Sequence, residues 1–131
     1  MVHLHHTKNY EEFTTLMKKL DDANQKSYVV FTGTPNETGK SWCSDCVLAE
    51  PVIQNQIELN EQLLKDVNLV YAYAGKREEW KNCPGNPFKT DKRIRLQFLP
   101  TIIKWGTLHK LQVEECLKPD LVNMLFEDSD D

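Results

Sequence analysis

Apolar positions along the 131-residue chain recur with two different periods. Tyr10, Phe13, Leu16, Met17 and Leu20 repeat at three- and four-residue spacing, which predicts an amphipathic helix capped by Asn9 or Thr7. Tyr28 to Thr32 is a continuous apolar, β-branched run, the pattern of a strand buried on both faces. Val67 to Ala74 reads as a second such strand, and residues 2–6 as a short β-permissive segment. Between the two long strands, residues 34–41 form a polar loop. A helical stretch then runs from about Cys43 to Leu64, with Pro51 expected to kink or break it. A short helix is expected around Glu78–Trp80, followed by a turn at Cys83–Pro87 and a further helical piece before Leu99. Thr101–Trp105 and Lys110–Val113 read as an antiparallel hairpin. Pro119 opens a final helix expected to bury Leu121, Met124 and Leu125. The order β-α-β-α-β-α-β-β-α predicts an α/β fold with a mixed sheet and helices on both faces.

Charge adds a boundary to this picture. The chain carries 16 Lys plus Arg against 20 Asp plus Glu, a net charge of −4. Glu127, Asp128, Asp130 and Asp131 account for that excess, so one neutral domain over residues 1–126 is expected to precede an acidic tail over 127–131. A basic face of the kind that binds nucleic acid is absent. No apolar run approaches the roughly 20 residues that a membrane-spanning helix needs. The N-terminus has no apolar segment of a secretion signal, so the expected location is the cytoplasm, where thiols stay reduced.

The four cysteines then become the chemical question. Trp42-Cys43-Ser44-Asp45-Cys46 lies where a buried strand and a polar loop feed a helix. Residues three apart share a helix face with Cα atoms roughly 5 Å apart, close enough for a disulfide. A cysteine at a helix N-terminus faces free amides and the positive end of the helix dipole, which favour the thiolate. Cys43 is therefore the candidate nucleophile and Cys46, one turn further in, the resolving thiol. Asp45 opposes ionisation of Cys43 by charge repulsion but favours the first turn of the helix, and these two effects oppose each other.

Other readings of the same residues are weaker. A zinc site needs a second ligand pair, yet Cys83 and Cys116 stand 33 residues apart with no partner at ligand spacing, so no metal is expected. Two inert helix cysteines remain an alternative. Thr34 to Ser41 ends in Gly-Lys-Ser after a strand, as phosphate loops do, but the required first glycine is missing and Glu37 would sit in the phosphate position. Cys116 reads as a buried small hydrophobe and Cys83 as a surface cysteine rather than a regulatory thiol. His3, His5 and His6 read as an edge segment, and Trp42 and Trp80 as walls of the site or core.

Phe31-Thr-Gly, Gly39-Lys-Ser-Trp-Cys, Asp45-Cys46-Val, Ala49-Glu-Pro-Val, Trp80-Lys81, Pro100-Thr101, Gly106-Thr, Lys110-Leu111, Glu115-Cys-Leu and Met124-Leu-Phe span nearly the whole chain. In these segments the sequence resembles the thioredoxin family, and within it the small cytosolic thioredoxin-related branch. The resemblance implies a thioredoxin fold, a cis peptide before Pro100, and a substrate cleft formed by Trp42, Ser44, Leu99, Pro100 and Thr101. It also implies reduction of small disulfides such as cystine and of nitrosylated or persulfidated thiols, with weak activity on general protein disulfides. No bound cofactor is implied; electrons come from NADPH through thioredoxin reductase. A monomer is expected, with a dynein light chain as a further partner. Ser44 replaces the proline typical of the family between the first cysteine and the aspartate. The acid that ordinary thioredoxins bury in the central strand is replaced by Val30, leaving Asp45, Glu50 or water to take the proton of the resolving thiol, with Asp45 favoured. A redox-inactive module using the same fold to dock a partner is the rival reading.

Overall fold

The computed structural model describes residues 2–127. Its five strands are β1 (His3–Thr7), β2 (Ser27–Thr32), β3 (Asn68–Tyr73), β4 (Thr101–Lys104) and β5 (Lys110–Gln112). They form one sheet in the order β1-β3-β2-β4-β5. β1 and β2 both pair parallel to β3, whereas β2–β4 and β4–β5 are antiparallel. The central pair is held in register by Val29 opposite Val70 and Phe31 opposite Ala72. β2 and β3 lie between other strands and are covered above and below, which is why their sequences read as unbroken apolar runs.

Alternation along these strands divides the core in two. Val29, Phe31, Val70 and Ala72 meet Phe13, Met17 and Leu20 of α1 (Tyr10–Asp22) together with Phe88. Tyr28, Val30, Leu69 and Tyr71 meet Ala49, Ile53 and Ile57 of α2 (Ser44–Leu59) and Val122, Leu125 and Phe126 of α5 (Pro119–Glu127). Two single-turn helices, α3 (Arg77–Trp80) and α4 (Pro87–Thr90), fill the connection from β3 to β4. A 3₁₀ turn over Val113–Leu117 joins β5 to α5. Asn9 caps α1, accepting the Glu12 amide at 2.9 Å.

Several expectations need correction. α2 runs unbroken through Pro51, because its Ala49, Ile53 and Ile57 face is buried against the sheet and packing outweighs the single lost backbone bond. It ends at Leu59; residues 60–66 continue only as hydrogen-bonded turns. In α5 the buried residues are Val122, Leu125 and Phe126, while Met124 is 61% exposed. Glu127, assigned above to the tail, is the last residue of α5; the remainder of that tail lies outside the described residues.

Candidate active site

The approach to α2 is built by short-range polar contacts. Asn36 organises the 34–41 loop: its Oδ1 accepts from the Thr38 amide at 2.9 Å, the Lys40 amide at 3.1 Å and the Thr38 hydroxyl at 2.7 Å. Loop amides that a phosphate would need are thus spent on a side chain of the loop itself. Gly33 precedes this loop because any Cβ there would lie 2.7 Å from Ser41 Oγ and 2.9 Å from the Trp42 ring. Trp42 Nε1 donates to the Gly75 carbonyl at 2.9 Å, tying the cysteine loop to the β3–α3 connection.

Cys43 is the N-cap of α2, and its sulfur accepts the Cys46 amide at 3.3 Å. Its own amide donates to Ser41 Oγ at 3.1 Å. Both thiols are free, and both are buried, at 7% and 4% exposure. The Cys43 thiol is pulled down to about 7. Donation from the Cys46 thiol is the largest cause; burial opposes it, the Cys46 amide assists, and the Asp45 carboxylate opposes by charge repulsion. Cys46 is pushed far above the ordinary thiol range because its proton is held by Cys43 and its sulfur is desolvated. The Thr32 hydroxyl and the Gly33 amide donate to the Cys46 sulfur and favour its ionised form.

The two sulfurs are thus unequal: one is a thiolate near neutral pH, the other a reserve thiol with two donors waiting for its charge. Opposite them, the Leu99–Pro100 peptide is cis, and the Leu99 carbonyl lies 3.8 Å from Cys43 Sγ. Thr101 Oγ1 donates to the Phe98 carbonyl at 2.6 Å, and the Val113 amide to the Pro100 carbonyl at 2.8 Å. Val113 holds a left-handed backbone, φ 49°, uncommon for a β-branched residue. A cavity of about 340 Å³ opens at Cys43, lined among others by Trp42, Asp45, Arg77, Trp80, Lys81 and Val113.

All eight residues read from the sequence as site residues therefore lie at one end of the sheet. Leu99, Pro100 and Thr101 are buried, Trp42 and Asp45 half-buried, and Ser44 exposed. Asp45 acts on Cys43, whereas Glu50 turns to a separate cavity, where its Oε1 accepts the Tyr71 hydroxyl at 2.9 Å. Thr32 was missed; the signal was a hydroxyl residue closing an apolar strand at its carboxyl end, where sheet crevices form. Arg77, Lys81 and Val113 carry no local signal.

Outside the site, Cys116 is buried, and burial pushes its thiol up to about 12. Cys83 is half-buried and donates to the Glu78 carbonyl at 3.0 Å. The Trp80 ring carries Lys89 Nζ at 4.3 Å from its centroid. Among the described residues no cluster of three or more His, Cys, Asp or Glu side chains is placed to hold a metal ion. No helix among them is long and apolar enough to cross a membrane.

Residues 6–128 match the family model described as thioredoxin domain-containing protein 17-like, thioredoxin domain. The chain belongs to that family. It is 39% identical over 117 residues to thioredoxin domain-containing protein 17 of Danio rerio, covering 89% of each chain. The Homo sapiens protein of the same name is 36% identical over 118 residues, again covering 89% of each. Among solved structures the fold is similar to oxidised thioredoxin O1 of Arabidopsis thaliana, with TM-score 0.52 and 24% identity over 84% of this chain and 85% of that one. Chloroplastic thioredoxin z aligns with TM-score 0.53 and 17% identity over 97% and 94%. The fold is thus a thioredoxin fold, and family and fold together support thiol–disulfide oxidoreduction as the general activity.

Proposed function

We propose that the protein is a cytoplasmic reductase of small disulfides such as cystine, and of nitrosylated or persulfidated thiols, acting as a monomer. The unequal thiol pair carries this reading: Cys43 ionises near pH 7 beside a Cys46 that keeps its proton. Cys43 thiolate attacks one sulfur of the substrate; the S–S bond breaks and the first half leaves as a thiolate that takes a proton from water. Cys46 then loses its proton and attacks Cys43 Sγ, releasing the second half, which ends as a thiol. Asp45, the carboxylate lining the cavity, relays that proton. The substrate gains two electrons and the protein ends with a Cys43–Cys46 disulfide. Thioredoxin reductase, using NADPH, returns it to the dithiol; the chain needs no bound cofactor for this cycle. Trp42, Ser44, Leu99, Pro100 and Thr101 shape the cleft. A dynein light chain is retained as a binding partner by family resemblance alone.

The test is NADPH consumption with thioredoxin reductase, comparing cystine with insulin. Wild type should turn over cystine faster than insulin, and Cys43→Ser should turn over neither. Absence of cystine turnover by wild type would sink the proposal and leave a redox-inactive docking module. Faster insulin reduction would instead mark a general protein reductase.

A further inference from the structure

The cavity at Cys43 contains more charge than thiol exchange requires. Arg77 and Lys81 line it from α3 and the residue after it, and Asp45 lines it from α2. Among the described residues neither Arg77 nor Lys81 belongs to an ion pair, although Lys18 and Arg93 elsewhere do. The acids near them do not neutralise them through an ion pair. Glu79 Oε1 accepts the Lys76 amide, and Glu78 lines an adjoining cavity together with Glu37, a cavity that Arg77 also borders without pairing to either acid. Among the described residues Asp45 is the only carboxylate lining the Cys43 cavity.

The placement of these cations is fixed by the scaffold. The Trp42 indole is bonded to the Gly75 carbonyl, two residues before Arg77, and the Gly75 amide donates to Thr34 Oγ1 at 3.1 Å. Gly75 itself has φ 128°, and a Cβ there would stand 3.0 Å from Glu79 Cβ. The α3 turn is thereby held against the loop that carries the nucleophile. The backbone positions of Arg77 and Lys81 are set before any ligand arrives, so only their exposed side chains have to be ordered on binding.

Two cations outside any ion pair, lining the same cavity as the attacking thiolate, favour a substrate that brings negative charge close to its S–S bond. We propose that Arg77 and Lys81 form a carboxylate subsite that selects small disulfides bearing carboxylates, the class to which amino-acid disulfides belong. The single carboxylate, Asp45, tolerates an ammonium group on the same substrate. The proposal rests on the reductase reading above and adds a rule to it: among disulfides small enough to enter, rate follows the charge of the arms.

The test uses reduced protein alone, without the recycling enzyme, so that substitutions cannot act through reductase docking. Second-order rate constants are read from the Trp42 fluorescence change on mixing with four disulfides. Cystine carries carboxylates and ammonium groups, dithiodipropionate only carboxylates, cystamine only ammonium groups, and hydroxyethyl disulfide no charge. Arg77→Gln with Lys81→Gln should slow cystine and dithiodipropionate about tenfold, from a few-fold per exposed cation. Cystamine and hydroxyethyl disulfide should stay within about twofold, since they report the intrinsic reactivity of Cys43. The wild-type preference for dithiodipropionate should shrink as salt rises from about 0.01 M to 0.5 M. Equal slowing of all four disulfides would reassign both residues to positioning of the thiolate and overturn the subsite. Unchanged rates with cystine would overturn it as well. If wild type reacts with none of the four, the reductase reading fails first. Charge-reversing Lys81→Glu supplies a second variant: it should invert the order of dithiodipropionate and cystamine.

Discussion

Replacing Cys46 by alanine removes the strongest support of the Cys43 thiolate while leaving the fold at the helix start unchanged. In the wild type the Cys43 thiol sits at about 7, with the Cys46 thiol hydrogen bond as the largest cause. A hydrogen bond to a charged group contributes about 1.5 kcal/mol net, or about one pKa unit. Cys46→Ala should therefore move Cys43 to about 8, the backbone amide of residue 46 still donating to it. At pH 7 the thiolate fraction falls from about a half to about a tenth. Each thiolate becomes about threefold more nucleophilic, because nucleophilicity rises with pKa with a slope of about 0.45. The net result is about twofold slower alkylation at pH 7 and about threefold faster alkylation above pH 9, with the two profiles crossing at about pH 7.6. The assay is iodoacetamide labelling of the Cys43 peptide from pH 5.5 to 10, read by mass spectrometry in a Cys83→Ser background. Cys46→Ser keeps a donor at the same position and should stay close to wild type. A Cys46→Ala profile that keeps the wild-type midpoint, or lies below it at every pH, would refute the assignment of the Cys46 thiol as the main support.

Three further outcomes are expected. Thr32→Val removes one donor to the Cys46 sulfur, so the mixed disulfide on Cys43 should persist about tenfold longer, measured by acid quench and mass spectrometry. Glu50 is pushed up by burial, with the Tyr71 hydroxyl opposing, so its ionisation costs stability above the unfolded carboxyl value of about 4.5. Glu50→Gln should accordingly raise the thermal midpoint at pH 7, and the gain should vanish as the pH falls toward 4. Gly75→Ala forces a side chain into φ 128° and a 3.0 Å contact with Glu79, and should cost about 1–3 kcal/mol in thermal denaturation of the reduced protein.

The hydrophobic pattern carries most of the fold because burial is so uneven. β2 and β3 are covered on both faces and α1 on one, so their periods of burial appear directly as unbroken runs and three-to-four spacing. α5 was harder. Leu121, Val122, Met124, Leu125 and Phe126 offer two adjacent apolar faces, and the T-shaped contact of Phe126 with Tyr28, ring centroids 5.1 Å apart, decides between them. That contact joins segments nearly a hundred residues apart and leaves no trace in local spacing. The same distinction separates the parts of the site. Cys43 and Cys46 are one helical turn apart, so their relation is written in consecutive residues. Thr32 touches the Cys46 sulfur from the end of β2, while Arg77, Lys81 and Val113 line the cavity from α3, the residue after it and the 3₁₀ turn after β5, and only the closed sheet brings them together.

A helix cap is ordinarily an oxygen whose charge never changes. In α2 the capping atom is the sulfur of Cys43, and it carries a negative charge only while the protein is reduced. Oxidation discharges the cap and reduction restores it, so the first turn of α2 is electrostatically tighter in one half of the cycle than in the other. Electrons stored on the dithiol are therefore stored partly as helix stability. Any change that strengthens the amides around that sulfur should make the protein hold its electrons longer and part with them less readily.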